Sequence, residues 1–331
     1  MKRQVNFFEK INDETIKCRL CPHNCIIKEG HSGLCRVREV KDGILYANNY
    51  GEISALAVDP IEKKPLFHYK PESNILSLGS YGCNFTCGFC QNYTIAQYKP
   101  ETQYISIEDM IKKAKAYKSQ GSIGLAFTYN ESLMFYEYVL DVAKRCKEED
   151  LDVVVVTNGF INQEPLEKLL PFVDAMNIDL KSFSDDFYKK ECSGALENVI
   201  STIELASKHC HVEVTTLLIT SHNDTEEEVR SIAKFISGVD KNIPLHLSRY
   251  YPNYKFEVEE TDIDNMKSLS DIAKEYLNYV YIGNVLEVDN NTYCPACDSL
   301  IIERNVYDAV DKNLGDVCKS CGEKLYIVNK D

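Results

Sequence analysis

The chain has 331 residues, a formal net charge of −14 at pH 7, and apolar and charged fractions of 44% and 27%. This length suits one core domain with smaller appended modules, and these fractions are typical of a globular protein. The acidic balance argues against a protein held on nucleic acid mainly through phosphate contacts, which need an excess of lysine and arginine, although it leaves room for a local basic groove.

Cysteine usage indicates the compartment. Eleven of the 14 cysteines fall into three tight clusters, which is typical of metal ligation in a reducing environment. The N-terminus has no apolar signal core, and the longest strongly apolar run, residues 153–156, is far too short to cross a bilayer. We therefore expect a cytoplasmic protein without a membrane segment.

The first cysteine cluster lies in a loop-rich segment with little apolar core of its own. A bound metal would hold such a segment together. Zinc is slightly favoured over a fully capped iron–sulfur cluster, and four free thiols are the weakest interpretation. The four candidate ligands are Cys18, Cys21, Cys25 and Cys35.

A hairpin and a proline-rich linker follow. Two short strands are predicted around Asp42 and Gly43, because an Asp-Gly pair adopts the positive φ angles of a tight hairpin turn. Residues 59–71 contain three prolines, which oppose regular structure. The polar side chains of this linker, among them Lys64 and His68, predict a solvated loop, with a substrate or partner contact as the alternative.

After the linker, predicted strands and helices alternate. Repeated βα units imply a parallel sheet with outer helices, curled into a full or partial barrel. We therefore predict an α/β fold with a Cys-rich N-terminal module (1–74), a partial barrel (75–283) and a zinc-ribbon-like module (284–331). Ser106 and Asp224 are predicted helix N-caps. The strands are predicted at residues 75–78, 123–129, 152–157, 175–180, 212–218, 244–247 and 279–282.

The loop after the first of these strands carries Cys83, Cys87 and Cys90 in C-x3-C-x2-C spacing. A cubane iron–sulfur cluster has four irons, so three thiolates leave one iron open to bind a reactant. A zinc knuckle is the weaker alternative, because zinc loops favour C-x2-C pairs and the next cysteine, Cys146, lies far along the chain.

This spacing, with the aromatic Phe89 before the last cysteine, resembles the signature of the radical S-adenosylmethionine (SAM) enzymes. The resemblance implies a [4Fe–4S] cluster on the three cysteines, with SAM at the open iron and its adenine against the backbone of Phe89. It also implies a partial barrel of (β/α)6 type over residues 75–282 and a low-potential electron donor. We expect an anaerobic setting, because oxygen attacks an exposed cluster.

Polar residues follow the carboxyl ends of the later strands, where the reactive groups of such barrels lie. Taken one by one, they are typical of caps, turns or a strand-end ion pair. Taken as a set, they match the ammonium, carboxylate, ribose and adenine groups of SAM, and we predict that they converge on one cavity. The set comprises Tyr129, Asn130, Glu131, Thr157, Asn158, Asp179, Lys181, His246 and Arg249.

Longer matches narrow the resemblance. The stretches C-R-L-C-P-H-N-C, E-K-K-P-L-F-H, A-F-T-Y-N-E and L-H-L-S-R-Y-Y-P together resemble the radical SAM component of the AmmeMemoRadiSam system, which implies Memo-like and AMMECR-type proteins as partners. T-N-G at 157–159 and D-x-K at 179–181 resemble motifs of pyruvate formate-lyase activating enzymes. The chain departs from those activators at Val156, where they carry an acid, and at Tyr129 and Asn130, where many radical SAM enzymes carry two glycines.

The last cluster consists of two C-x2-C pairs separated by twenty residues. This pattern is typical of a zinc ribbon, and a rubredoxin-like iron site has the same ligands. Among the lone cysteines, which are usually small core residues, only Cys192 lies near the predicted barrel mouth, where donation of a hydrogen atom is the alternative role. The four C-terminal ligands are Cys294, Cys297, Cys318 and Cys321.

The sequence therefore predicts an enzyme that cleaves SAM to a 5′-deoxyadenosyl radical, which abstracts hydrogen from a substrate that the sequence does not name. One alternative is an activase that makes a glycyl radical on a partner protein. The other is a non-catalytic iron–sulfur scaffold for electron transfer or metal binding. The polar residues at the strand ends argue against the scaffold, because an electron carrier needs no cofactor-shaped cavity.

Overall fold

The computed structural model describes residues 3–286 and 288–330. Its N-terminal strands are β1 (Arg3–Gln4), β2 (Phe8–Asn12), β3 (Thr15–Cys18), β4 (Ile26–Lys28), β5 (Arg38–Lys41), β6 (Ile44–Ala47) and β7 (Glu52–Ile53). They build two three-stranded sheets, β2-β3-β4 and β1-β6-β5. The predicted hairpin is confirmed as β5 and β6, with positive φ angles at Asp42 and Gly43.

The strands that follow are β8 (Ala55–Pro60), β9 (Asn74–Gly79), β10 (Gln103–Tyr104), β11 (Ser122–Phe127), β12 (Asp152–Thr157), β13 (Ala175–Asp179), β14 (His211–Leu218), β15 (Leu245–Arg249) and β16 (Val280–Gly283). All except β10, which pairs with β7, form one sheet in the order β16-β15-β14-β13-β12-β11-β9-β8. Seven strands are parallel and β8 is antiparallel. The order leaves β8 and β16 at opposite edges, so the sheet is an open, partial barrel and the predicted α/β class is confirmed.

The edge strand β8 comes from the segment that the sequence analysis places in the N-terminal module. It was not predicted, although all seven parallel strands were. The parallel strands were easier to find because both of their faces are covered, which favours unbroken runs of β-branched residues. In β12, Val153, Val154 and Val155 are all fully buried.

Helices occupy the connections between the parallel strands. Ser106 is confirmed as a helix N-cap, because its Oγ accepts a hydrogen bond from the backbone N–H of Asp109 at the start of α2 (Ile107–Ala116). The predicted cap at Asp224 is wrong, because the neighbouring Thr225 caps α7 (Glu226–Asp240) by accepting from the N–H of Glu228. The helices are α1 (Tyr93–Ala96), α2 (Ile107–Ala116), α3 (Tyr136–Glu148), α4 (Gln163–Leu169), α5 (Asp185–Phe187), α6 (Leu196–Ala206), α7 (Glu226–Asp240) and α8 (Ile263–Lys274).

Asp59 and Pro60, at the start of the proline-rich linker, end strand β8. The rest of the linker is irregular, as predicted, apart from a 3₁₀ turn at Ile61–Lys63, but it is mostly buried and not solvated. Ile61 and Leu66 are fully buried in one apolar cluster with core residues of the central sheet. His68 is equally buried, with its ring bonded to the hydroxyl of Tyr281 and a backbone carbonyl. The prolines prevent a regular pattern of backbone hydrogen bonds, because each lacks an N–H. This restricts the backbone conformation of the linker but does not determine whether its side chains are buried.

The C-terminal part contributes β17 (Thr292–Tyr293), β18 (Leu300–Asn305) and β19 (Asp308–Asp311), which form a separate three-stranded sheet. Its small core includes Cys294, Ile302 and Cys318. Arg304 extends from this sheet to the linker and donates a hydrogen bond to the carbonyl of Phe67 at 2.5 Å.

Within the described residues, the structure contains no helix that is both long enough and apolar enough to cross a membrane.

Candidate functional site

The loop with Cys83, Cys87 and Cys90 leaves the carboxyl end of β9, as predicted. Asn130, which follows the neighbouring strand β11, fixes the start of this loop with its side-chain amide. Its Oδ1 accepts from the backbone N–H of Ser80 at 2.9 Å, and its Nδ2 donates to the carbonyl of Gly82 at 3.0 Å. Asn130 therefore contacts the cysteine loop through two hydrogen bonds.

The cysteine side chains form a donor set that suits an iron–sulfur cluster. The backbone N–H of Phe85 points at Cys83 Sγ from 3.3 Å, and Asn158 Nδ2 lies 3.8 Å from the same sulfur. Such N–H donors stabilise sulfur that carries negative charge. Burial raises the pKa of the Cys90 thiol to about 11, so deprotonation requires compensation of the kind that metal binding gives.

Glu131 joins the carboxyl ends of β11 and β12. Its buried carboxylate accepts hydrogen bonds from the Thr157 hydroxyl at 2.6 Å and from the Asn158 backbone N–H at 2.8 Å. Burial raises the pKa of Glu131, and these bonds act against that rise. The three residues therefore come together as predicted, and Glu131 and Thr157 orient the Asn158 side chain towards the cysteine loop.

Tyr129 begins the same turn with a positive φ of 73°. Its hydroxyl donates to Asp59 Oδ2 at 2.7 Å, and the same oxygen lies 2.7 Å from Lys64 Nζ. The Tyr129 side chain thus belongs to a network with β8 and the linker.

Asp179 and Lys181 lie beside the cysteine loop, at the end of β13. Lys181 Nζ is 2.9 Å from Asp179 Oδ2 and 6.0 Å from the centre of the Phe89 ring. Burial disfavours the lysine charge, but the carboxylate of Asp179 holds the pKa of Lys181 well above its usual value. Lys181 therefore stays charged, and its charge opposes the rise that the contact with Cys192 and burial cause in the pKa of the Cys87 thiol.

Phe89 lies within the cysteine loop, and Cys192 packs against that loop. The Phe89 ring is buried against Phe187 and Phe256, with ring centres 5.9 and 5.5 Å away. Cys192 ends a π-helical turn, Tyr188–Cys192, a geometry often found at functional sites. The fully buried Cys192 thiol contacts Cys87.

His246 and Arg249, the last two residues of the predicted set, bond to residues outside that set. His246 Nε2 lies 2.6 Å from Glu213 Oε2 inside the barrel, where His211 Nε2 is 3.0 Å from the other carboxylate oxygen. The Arg249 guanidinium is bonded to the Thr261 carbonyl at 2.7 Å. The sequence analysis missed Glu213, although a lone acid inside the apolar strand β14 was a detectable signal.

The two outer cysteine clusters differ in geometry. The sulfurs of the C-terminal four all lie within 4.8 Å of one another, a spacing at which one metal ion can bind. Cys294 and Cys321 are 3.6 Å apart, and Cys297 and Cys318 are 3.7 Å apart. The N-terminal four line a single cavity, in a wider arrangement that is considered below.

Comparisons with known proteins agree with this fold. Residues 78–236 match the model of the radical SAM superfamily. The chain is 44% identical, over 338 aligned positions, to an uncharacterized protein of Methanocaldococcus jannaschii, covering 98% of this chain and 99% of that one. It is 25% identical over 227 positions to the pyruvate formate-lyase-activating enzyme of Clostridium pasteurianum, covering 59% and 88%. A radical SAM methyltransferase from Sphaerobacter thermophilus has a similar fold, with a TM-score of 0.52 at 14% identity over 90% of this chain and 81% of that one.

Proposed function

The chain belongs to the radical SAM superfamily, and from this membership we propose that it cleaves SAM into methionine and a 5′-deoxyadenosyl radical, which abstracts hydrogen from a substrate. Cys83, Cys87 and Cys90 hold the [4Fe–4S] cluster in this proposal. When bound, the cluster supplies the low-potential electron for the cleavage and an open iron for SAM. Phe89 lies where the family's adenine contact is expected.

The observation that carries the proposal is the environment of the three thiols. Two N–H donors point at Cys83, from Phe85 and Asn158. The half-buried Lys181 cation lies close to Cys87 and 6.0 Å from the centre of the Phe89 ring. These groups stabilise negative charge on sulfur and can attract the carboxylate of SAM. A carrier of electrons alone would need neither a binding cation nor an aromatic contact at this place.

The test is anaerobic reconstitution of the full chain, reduction with dithionite, and chromatography of 5′-deoxyadenosine formed from SAM. Cys87→Ala should abolish the product because it removes one cluster ligand. Cys210→Ala is the matched control, since that thiol follows the end of α6 and bonds to the Ala206 carbonyl. Product formation by Cys87→Ala at the wild-type rate would sink the proposal. Reversible cluster reduction without SAM cleavage would favour the electron-transfer scaffold instead.

A second candidate is activation of a glycyl-radical enzyme. The similarity to the pyruvate formate-lyase-activating enzyme of C. pasteurianum favours it. In that case the hydrogen would be taken from a glycine of a partner protein. Incubation of the reduced chain and SAM with such a partner should then produce a glycyl radical, visible by electron paramagnetic resonance (EPR).

The proposed partners are a low-potential electron donor and proteins of the Memo-like and AMMECR types. Adding each candidate to the SAM cleavage assay gives a direct readout, because a substrate or activator should increase 5′-deoxyadenosine formation. We also propose that Cys294, Cys297, Cys318 and Cys321 hold one zinc ion, since their sulfur spacing matches a tetrahedral site.

A further inference from the structure

We propose that Cys18, Cys21, Cys25 and Cys35 bind a second [4Fe–4S] cluster, with one thiolate on each of its four irons. All four side chains line one cavity, whose remaining walls are mostly apolar and include Leu20 and Ile27. Cys18, Cys21 and Cys35 are almost completely buried. Thiols from one short, loop-rich segment thus converge on one cavity.

The spacing of the sulfurs distinguishes a cluster from a single ion. Zinc binds thiolates at 2.3 Å in a tetrahedron, which places the sulfurs about 3.8 Å apart. The C-terminal cysteines match this value, with sulfur pairs at 3.6 and 3.7 Å. In the part of the chain that the structure describes, they are also the one group of three or more metal-binding side chains whose ligand atoms all lie within 4.8 Å.

The N-terminal four therefore have a wider arrangement, as do Cys83, Cys87 and Cys90. The latter three are the cysteines that the superfamily assigns to a [4Fe–4S] cluster. Four irons between the sulfurs keep the thiolates farther apart than one ion does. The C-terminal sulfurs thus have the spacing of a site for a single ion, and neither of the other two cysteine sets does.

Arg38 provides an independent observation at the same cavity. Its side chain lines the cavity and is 1% exposed. Two guanidinium nitrogens bond to the Glu137 carboxylate at 2.7 and 3.1 Å, but the Nε–H has no partner. A buried donor without an acceptor is costly. The sulfurs of a bound cluster would supply that acceptor, and hydrogen bonds to sulfur are among the factors that set a cluster's reduction potential.

The second cluster would lie beside the first. A Cβ added to Gly82 would come within 2.7 Å of the Cys35 carbonyl oxygen, so the two cysteine loops touch. The His23 ring, between Cys21 and Cys25, bonds through Nε2 to the carbonyl of Asn84 at 2.8 Å. An electron from a low-potential donor could then pass onward, oxidising the reduced second cluster and reducing the cluster on Cys83. This last step rests on the proposed function, whereas cluster binding does not.

The experiment is analysis of iron, acid-labile sulfide and zinc in the anaerobically reconstituted full chain and in a Cys83→Ala, Cys87→Ala, Cys90→Ala triple variant. We expect about eight irons and eight sulfides in the wild type, and about four of each in the triple variant. Wild-type protein with only about four irons and with two zinc ions would overturn the proposal. The wild-type count decides the matter even where the triple variant fails to fold.

EPR spectra provide a second readout. The reduced wild type should show a spectrum broadened by magnetic coupling between two neighbouring clusters, and the triple variant a single cluster whose spectrum SAM does not change. An uncoupled wild-type spectrum with eight irons would overturn the adjacency and with it the electron transfer. Eight irons without 5′-deoxyadenosine would defeat the proposed function and leave the second cluster standing. SAM cleavage by protein with only four irons would support the proposed function and overturn the second cluster.

Discussion

Asn158 Nδ2 lies 3.8 Å from Cys83 Sγ, although the two residues are 75 positions apart in the chain. The contact forms because β9, β11 and β12 are neighbours and end at the same edge of the sheet. Glu131 fixes the Asn158 backbone from the strand between. A residue that follows one strand thus positions a candidate metal ligand that follows another.

Asn158→Ala should lower the reduction potential of the cluster on Cys83. The substitution removes an N–H donor from the ligand sulfur, so the reduced, more negative cluster loses stabilisation. We expect SAM cleavage to slow by about tenfold, equivalent to ~1.4 kcal/mol. A redox titration followed by EPR measures the potential. Asn242→Ala, which removes an amide bonded between Asp240 and Asn278, is the control, and an equal potential in both variants would contradict the prediction.

Gly82→Ala should destabilise the protein and reduce its iron content. Gly82 has a φ of +89°, and an added Cβ would lie 2.5 Å from Val37 Cγ1. A left-handed conformation at a non-glycine residue costs about 1–3 kcal/mol, and the clash adds to this. Urea unfolding and iron analysis give the two readouts. Gly238→Ala in α7 meets no atom within 4 Å and should stabilise the protein by about 0.5–1 kcal/mol. A similar loss of unfolding free energy in Gly82→Ala and Gly238→Ala would contradict the idea that the backbone conformation and close packing at Gly82 cause the destabilisation.

Breaking the buried pair of Arg38 and Glu137 should cost more than removing it. The two side chains are 1% and 3% exposed and join the N-terminal module to α3. Glu137→Gln leaves a buried guanidinium without its counter-ion, which we expect to cost about 3–5 kcal/mol of unfolding free energy. The double variant Arg38→Met, Glu137→Met should recover most of that loss in urea unfolding. A double variant as unstable as Glu137→Gln would show that the pair itself stabilises the interface.

His68 should make stability depend on pH below neutrality. Burial lowers its pKa to about 3, whereas an unfolded chain has a histidine pKa of about 6.5. Between these values the unfolded state binds the extra proton, so stability is fully present above pH 6.5 and is lost as the pH falls. Between pH 7.5 and 5.5 this histidine should account for about 1.4 kcal/mol of lost unfolding free energy.

The check is the unfolding free energy at both pH values for His68→Gln and for the control His209→Gln. His209 is exposed and bonds to the carbonyl of Leu205. The pH dependence should shrink in His68→Gln and persist in His209→Gln. Identical pH profiles in wild type and His68→Gln would contradict the prediction.

Local signals in the sequence predicted local structure well. The bounds predicted for β12, residues 152–157, are those observed. The Ser106 cap is confirmed, because a cap depends on residues within one helical turn. The error at Asp224 has the same origin, since Asp224 and Thr225 are both good caps and the local pattern does not rank them.

The linker at 59–71 shows a property that the local sequence did not predict, namely the burial of its polar side chains. From the sequence alone, its charged and polar residues predict a solvent-exposed loop, because the groups that pair with them in the folded protein are not known. Lys64 is buried because Asp59 pairs with it at 2.7 Å, and His68 because Tyr281, more than 200 positions later, bonds to its ring at 2.6 Å. Burying such groups costs little free energy only when they have a hydrogen-bonding or charged partner. The local sequence of the linker does not indicate a partner that lies so far along the chain.

The sequence by itself determined the candidate ligands Cys83, Cys87 and Cys90, because eight consecutive residues contain all three and their spacing is a local property. It also determined the seven parallel strands and the cysteines of both outer clusters. Only the tertiary structure decided which of the predicted strand-end residues lie at the cysteine loop, as Asn130, Asn158 and Lys181 do, and which pair elsewhere, as His246 does with Glu213. The reason is physical: the register of neighbouring strands, which follows from packing of the whole sheet, sets the depth at which each side chain lies.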